Sequence, residues 1–263
     1  MADILEGIVA RVRERLAAAP PDTSQLRDQA GAGRRRDFAG AVELGPRPAL
    51  IAEFKRRSPS KGALCEDAVL GDFCRAYEQA GASAISVLTN PDFGGSLLDL
   101  RQARDLVDLP LLRKDFIVDE RQLLEAAANG ADCVLLVVRI VSPAQLVELA
   151  AAARELSLQA LVEVYEESEL ESALAARPDL LGVNSRDLAT FAVDTSKFER
   201  VAARLPNGMP LVAESGVTSQ EQAAAAAHAG ARAVLVGEAL MTASNPAEKV
   251  HELLGTRDMA RPA

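Results

Sequence analysis

Residues 126–138 read AAANGADCVLLVV. A helix-forming run of alanines stops at Gly130, two residues intervene, and a continuous apolar run follows. Glycine there supplies the left-handed residue that ends a helix, and a short apolar run bounded by turn residues predicts a strand buried on both faces. The phrase recurs as YEQAGASAISVL at 77–88 and AAHAGARAVLVG at 226–237, with Gly81 and Gly230 in the place of Gly130. Helix, Gly-Ala, spacer, strand is the join between consecutive units of a parallel α/β protein.

Outward from these joins, strands are predicted at 49–54, 84–88, 110–114, 132–138, 158–163, 180–184, 210–214 and 233–236. Helical segments follow them at 66–80, 97–107, 119–129, 143–156, 166–176, 195–204, 218–229 and 246–254. Eight βα units fit a (β/α)8 TIM barrel, typically roughly 250 residues long, and the chain has 263. A doubly wound open sheet is the alternative, but no GxGxxG follows the first strand. Residues 1–48 precede the barrel as an N-terminal helical extension. A helical pattern over 3–18 ends at Pro20-Pro21, and polar residues 22–37 carry Arg34-Arg35-Arg36, read as a solvated face. No Gly- or Ser-rich linker divides the chain, so 1–263 is read as one domain, with the barrel at 49–254.

Composition narrows the function. A start of MADILEGIVARVRERL lacks a basic segment followed by an apolar core, and no apolar run approaches membrane-spanning length, so a cytoplasmic protein is expected. Cys65, Cys74 and Cys133 are odd in number and lack CxxC spacing, which argues against a disulfide framework or a zinc site. A net charge of −9 and a pI near 4.9 speak against nucleic-acid or membrane-surface binding. Any phosphate site is then a local concentration of donors. Of 29 basic residues only five are lysines, and two of them, Lys55 and Lys114, end predicted strands beside carboxylates. Lysine can give up a proton on burial, whereas arginine stays charged. His228 and His251 both fall in helical stretches, so acid–base chemistry is expected to run on Glu and Lys.

In such a barrel the active site lies at the carboxyl ends of the strands. The first strand, in IAEFKRRSPSKG, ends in Glu53 and Lys55, which point to the same side because an extended chain has period two. Pro59 and Gly62 mark the loop that follows. The third strand ends in Arg113-Lys114-Asp115, the fifth in Glu163, and the sixth in Asn184 and Arg186. The seventh ends in Glu214-Ser215-Gly216 and the eighth in Gly237-Glu238. A carboxylate and an ammonium on one rim suit proton transfer on an anionic substrate.

Together, IAEFKRRSPSKG, LLRKDFIVDE, ALVEV, GVNSRDL, AESGV and VGEALM resemble the indole-3-glycerol phosphate synthase family over roughly residues 35–254. The resemblance implies ring closure, decarboxylation and dehydration of 1-(2-carboxyphenylamino)-1-deoxyribulose 5-phosphate, with no cofactor and no metal. It implies a monomer whose partner is this phosphorylated small molecule. Lys114 resembles the family's general acid and Glu163 its general base. Lys55 would bind the substrate carboxylate or share in proton transfer, and Glu53 would position the lysines or relay a proton. Which lysine serves which step stays open. Asn184 would hydrogen-bond the substrate, and Arg186 would bind a carboxylate or steady a glutamate. Glu214 would be a secondary polar contact, and Ser58 and Phe116 would line the pocket. The phosphate would rest on the Ser215 hydroxyl and on backbone N–H groups of Ser215, Gly216, Gly237 and Glu238, helped by the N-terminus of a short helix. The family commonly has Ser where this chain has Glu238, so that side chain is expected to turn away from the anion. Two other readings are kept: a different phosphate-binding barrel enzyme, such as phosphoribosylanthranilate isomerase or an imine-forming aldolase using Lys114, and a non-catalytic barrel acting as a binding or regulatory subunit.

Overall fold

A computed structural model of the chain describes residues 4–31, 33, 35–45, 48–58, 61–186, 193–205 and 208–256. Eight parallel strands close into a barrel in sequence order, the first pairing with the last. They are Ala49–Phe54, Ala84–Leu88, Leu111–Lys114, Cys133–Val137, Gln159–Val164, Leu180–Asn184, Leu211–Glu214 and Ala233–Val236. Each lies within one residue of its predicted ends. Gly81, Gly130 and Gly230 have φ of 94°, 85° and 105°, the left-handed conformation that the joins require.

Alternation along each strand sorts its residues into two apolar clusters. Leu50, Ala52 and Phe54 face outward and pack with helical residues such as Tyr77, Leu240 and Leu253. Ala49 and Ile51 face inward with Leu112, Cys133, Leu161, Val212 and Leu235, filling the barrel as a packed core. Glu53 continues that inner row, so the first polar layer above the core is a consequence of period two.

The surrounding helices include Leu97–Leu106, Glu120–Ala128, Pro143–Glu155, Ser196–Ala202, Gln220–His228 and Pro246–Leu254, all within their predicted spans. The first barrel helix starts at Leu70, later than predicted, because Gly62–Ala63 pairs with Arg57–Ser58 in a small hairpin and a turn at Cys65–Ala68 follows. Pro59, assigned to that loop, lies outside the described residues. The segment after the fifth strand divides into a 3-10 turn, Glu167–Glu169, and a helix, Leu170–Ala175.

The extension holds three helices where the sequence pointed to one. Helix Ile4–Ala18 is tied to the carboxyl rim: Arg11 pairs with Asp92 at 3.1 Å, and Arg13 donates to the Ile140 carbonyl at 3.2 Å. Helix Thr23–Ala30 packs on helix Glu120–Ala128. Helix Phe38–Leu44 sits at the amino end, where Phe38 and Val42 are fully buried in the inner cluster and Gln159 Oε1 accepts from the Phe38 and Ala39 N–H groups. The arginine run departs from the solvated face expected of it. Arg36 pairs with Asp108 at 3.0 Å, its N–H donates to buried Asp132 at 2.8 Å, and burial lowers the pKa of Arg35. Arg34 lies outside the described residues. Cys65, Cys74 and Cys133 are free thiols, and no described helix is long and apolar enough to cross a membrane.

Candidate active site

One pocket opens among the carboxyl ends of the strands. It is lined by all thirteen residues singled out from the sequence: Glu53, Lys55, Ser58, Lys114, Phe116, Glu163, Asn184, Arg186, Glu214, Ser215, Gly216, Gly237 and Glu238. Closure of the barrel joins strand ends that lie far apart along the chain. Asp187 and Leu188, at the end of the sixth-strand motif, lie outside the described residues. Among the described residues no cluster of His, Cys, Asp and Glu is arranged to hold a metal ion.

At the centre, Lys114 Nζ lies 3.5 Å from Glu163 Oε2 and 3.4 Å from Glu214 Oε2, while Lys55 Nζ lies 2.8 Å from Glu53 Oε1. Burial opposes the charge on Lys114, but Glu214, Glu163 and Glu53 outweigh it and raise its pKa above the ordinary ammonium value. For Glu53, burial is outweighed by Lys55 and Lys114, which hold the carboxyl below its usual range. Glu214 goes the other way. Burial, reinforced by neighbouring Glu163, pushes it well above the carboxylate range despite Lys114.

Two placements add to the expected ones. Glu214, expected as a secondary contact, lies as close to Lys114 as Glu163 does. The Ser215 hydroxyl, expected to face the phosphate, instead donates to Asn184 Oδ1 at 2.9 Å. Asn184 Oδ1 also accepts the Arg186 N–H at 3.0 Å, so this amide ties the sixth and seventh strand ends together. Ser215 and Gly216 both have positive φ, 64° and 84°, and a Cβ on Gly216 would come within 2.7 Å of Val193. A side chain is tolerated at the first position but not at the second.

Beside Gly237, Arg186 faces a glutamate, one of the roles expected of it, and Lys61 joins the same carboxylate. Glu238 Oε1 meets Lys61 Nζ at 2.6 Å, and Oε2 faces Arg186 Nη2 at 3.7 Å. Glu238 also opens a short helix, Glu238–Met241. Gly237 has a second role beside it, since a Cβ there would overlap Glu53 Oε1 and crowd Lys55 Cε.

Three supporting features were missed. A Cβ at Gly182 would overlap Glu214 Oε1, so this glycine makes room for the buried carboxyl; glycine inside the apolar strand LLGVN was the available signal. Phe93 lines the pocket, its ring 6.1 Å from that of Phe116. Both aromatic residues hang from loops held by Asp115, which accepts from Thr89 Oγ1 at 2.7 Å, Asn90 Nδ2 at 2.9 Å, Arg113 Nη2 at 3.0 Å and the Phe116 N–H at 2.9 Å. Burial resists the charge on Asp115, but Arg113, Thr89 and Asn90 prevail and keep its pKa low. No single-residue signal marks that network, because its members come from two loops.

Comparison with known proteins bears on this arrangement. A family model described as indole-3-glycerol phosphate synthase matches residues 5–253. The chain is similar to indole-3-glycerol phosphate synthase 2 of Streptomyces coelicolor, 45% identical over 259 residues that cover 97% of this chain and 100% of the relative. It is also similar to the indole-3-glycerol phosphate synthase of Parafrankia sp., 46% identical over 269 residues, covering 99% and 98%. Among solved structures it resembles a 3-hexulose-6-phosphate synthase, with a TM-score of 0.64 and 15% identity, covering 79% of this chain and 99% of that one. A chain of the tryptophan synthase α2β2 complex of Pyrococcus furiosus gives a TM-score of 0.61 at 17% identity, covering 80% and 99%. At such identities the structural likeness speaks for the fold alone.

Proposed function

The chain belongs to the indole-3-glycerol phosphate synthase family, and from that premise we propose how its own residues divide the work. Its reaction converts 1-(2-carboxyphenylamino)-1-deoxyribulose 5-phosphate to indole-3-glycerol phosphate with loss of carbon dioxide and water, a carboxy-lyase step of tryptophan biosynthesis. The anthranilate ring carbon must attack the ketone of the same molecule. The site must therefore hold both ends of the substrate together and protonate the oxygen that becomes an alcohol.

In this reading Lys114 is the acid that protonates the ketone oxygen as the ring carbon attacks, and loss of carbon dioxide returns aromaticity to the benzene ring. Glu163 is the base that takes the proton from the nitrogen-bound methylene as the new hydroxyl, protonated by an ammonium of the rim, leaves as water. The observation that carries it is the placement of one buried ammonium between two buried glutamates, at 3.5 and 3.4 Å. Burial and Glu163 oppose the charge on Glu214, which restrains the negative charge around Lys114 and favours donation by the ammonium once the substrate displaces water. Lys55, oriented by Glu53, receives the substrate carboxylate until it departs as carbon dioxide. Phe116 and Phe93 form the wall for the aromatic ring, Ser58 lines the mouth, and Asn184 orients the hydroxyl-bearing carbon. The phosphate rests on backbone N–H groups of Ser215, Gly216, Gly237 and Glu238, with Arg186 nearby. A protonated Lys114 is no amine nucleophile, which weighs against imine chemistry.

The barrel and its extension act as one domain, supported by the burial of Phe38 and Val42 in the inner core. We place the protein in the cytoplasm, where free thiols at Cys65, Cys74 and Cys133 persist, and as a monomer, to be checked by light scattering. The decisive assay incubates the purified chain with the carboxyphenylamino-deoxyribulose phosphate and follows indole fluorescence. Turnover without added metal or cofactor, and no adduct after borohydride treatment, is the expected result. Absence of indole formation, or a trapped Lys114 imine, would overturn the assignment.

A further inference from the structure

We propose that the Glu238 carboxylate is an internal counter-ion for Lys61 and Arg186, which the substrate's phosphate displaces, so that Glu238 sets how tightly the site holds a phosphate monoester. The inference rests on the placement of the phosphate beside Gly237 and Glu238 given above.

Three separate parts of the chain meet at this carboxylate. Lys61 comes from the loop after the first strand, Arg186 from the end of the sixth, and Glu238 from the end of the eighth. Each carboxylate oxygen faces one cation, Oε1 towards Lys61 at 2.6 Å and Oε2 towards Arg186 at 3.7 Å. The Glu238 side chain lines the pocket. A substrate phosphate seated on the neighbouring backbone therefore meets two cations already partnered by an anion.

Charge decides the exchange. One carboxylate leaves this pair of cations with a net positive charge, whereas a phosphate dianion neutralises both. Keeping both anions in place would add a repulsion that a partly dry site screens poorly. The carboxylate is the easier one to move. Its pairing with Lys61 is weakened by solvent, since the lysine side chain is 61% exposed, and the pairing with Arg186 is long. The backbone beneath it stays fixed, because the Leu240 and Met241 N–H groups both donate to the Gly237 carbonyl. Rotation of the Glu238 side chain alone is enough to clear the site. It costs affinity relative to a chain with no acid there, and in return it keeps the loop carrying Lys61 drawn to the rim while the site is empty.

Titrating inorganic phosphate into the full-length protein, its Glu238→Gln variant and its Glu238→Ser variant tests this directly, with KM for the substrate measured in parallel. Both variants are expected to bind phosphate roughly three- to tenfold more tightly than the parent and to show a lower KM. Unchanged or weaker phosphate binding in both variants would overturn the proposal. If phosphate does not compete with substrate in the parent protein, the placement of the phosphate falls and the proposal falls with it. That result is distinguishable from the first, which leaves competition intact.

Discussion

Two buried carboxyl groups at opposite ends of the barrel are treated in opposite ways. Asp132, at the amino end, has a side chain 1% exposed and accepts from the Arg36 N–H at 2.8 Å, the Leu111 N–H at 2.8 Å and Arg104 Nη1 at 3.0 Å. Glu214, at the carboxyl end, is 2% exposed, yet neither oxygen has a hydrogen bond of ordinary geometry; it faces Lys114 at 3.4 Å and is crowded by Glu163. Desolvating a polar group without satisfying it is costly, and a fold retains such a group where chemistry needs it. Asp132 holds units of the barrel together. Glu214 is pushed towards its neutral form beside the lysine proposed to donate a proton.

The contrast can be broken at several points. The largest effect is expected from Lys114→Met and Glu163→Gln, which should lower turnover by about 10²–10⁴-fold with little change in thermal midpoint, since each removes proton transfer and keeps side-chain length. Near-parental kcat in both would sink the acid–base assignment. Asp132→Ala should do the reverse. Leaving Arg104 and two N–H groups without their acceptor should cost about 3–5 kcal/mol, hence a midpoint lower by roughly 10 °C, with kcat/KM per folded molecule preserved. A large loss of kcat/KM in folded protein would mean that the amino end reaches the chemistry.

Glu214→Gln sharpens the comparison through pH. The folded-state pKa of Glu214 is raised, so the fold favours the protonated carboxyl; that stability is present below the unfolded value near 4.5 and is lost as pH rises through the folded value. Glutamine copies the protonated form at every pH. Thermal melts from acid to alkaline pH should therefore show the variant gaining on the parent as pH rises, while its turnover falls. A parent that gains on the variant with rising pH would show Glu214 to be ionised in the fold. The smallest effects are expected from Lys55→Ala and Arg186→Ala, which should raise KM roughly tenfold with the thermal midpoint little changed. An unchanged KM with a sharply lower midpoint would move either residue into a structural role.

The barrel was legible in the sequence because its signals are local. A left-handed glycine, an apolar run and a helical period are properties of neighbours, so Gly81, Gly130 and Gly230 announced the joins before any contact was known. The polar rim followed from the same logic. Once Ala49 and Ile51 face inward, Glu53 must too, and every strand end in such a barrel points at one site. Other features depended on partners distant in sequence. The burial of Phe38 and Val42 at the amino end, the Asp115 network under Phe93 and Phe116, the turn of the Ser215 hydroxyl to Asn184, and the Lys61–Glu238–Arg186 pairing each join separate parts of the chain. The sequence determined which residues reach the rim, because the direction of a side chain is set by its own strand. Only barrel closure decided which of them are pushed towards the neutral form and which are held charged, because a charge answers to whatever lies within a few ångströms, however far away it is along the chain.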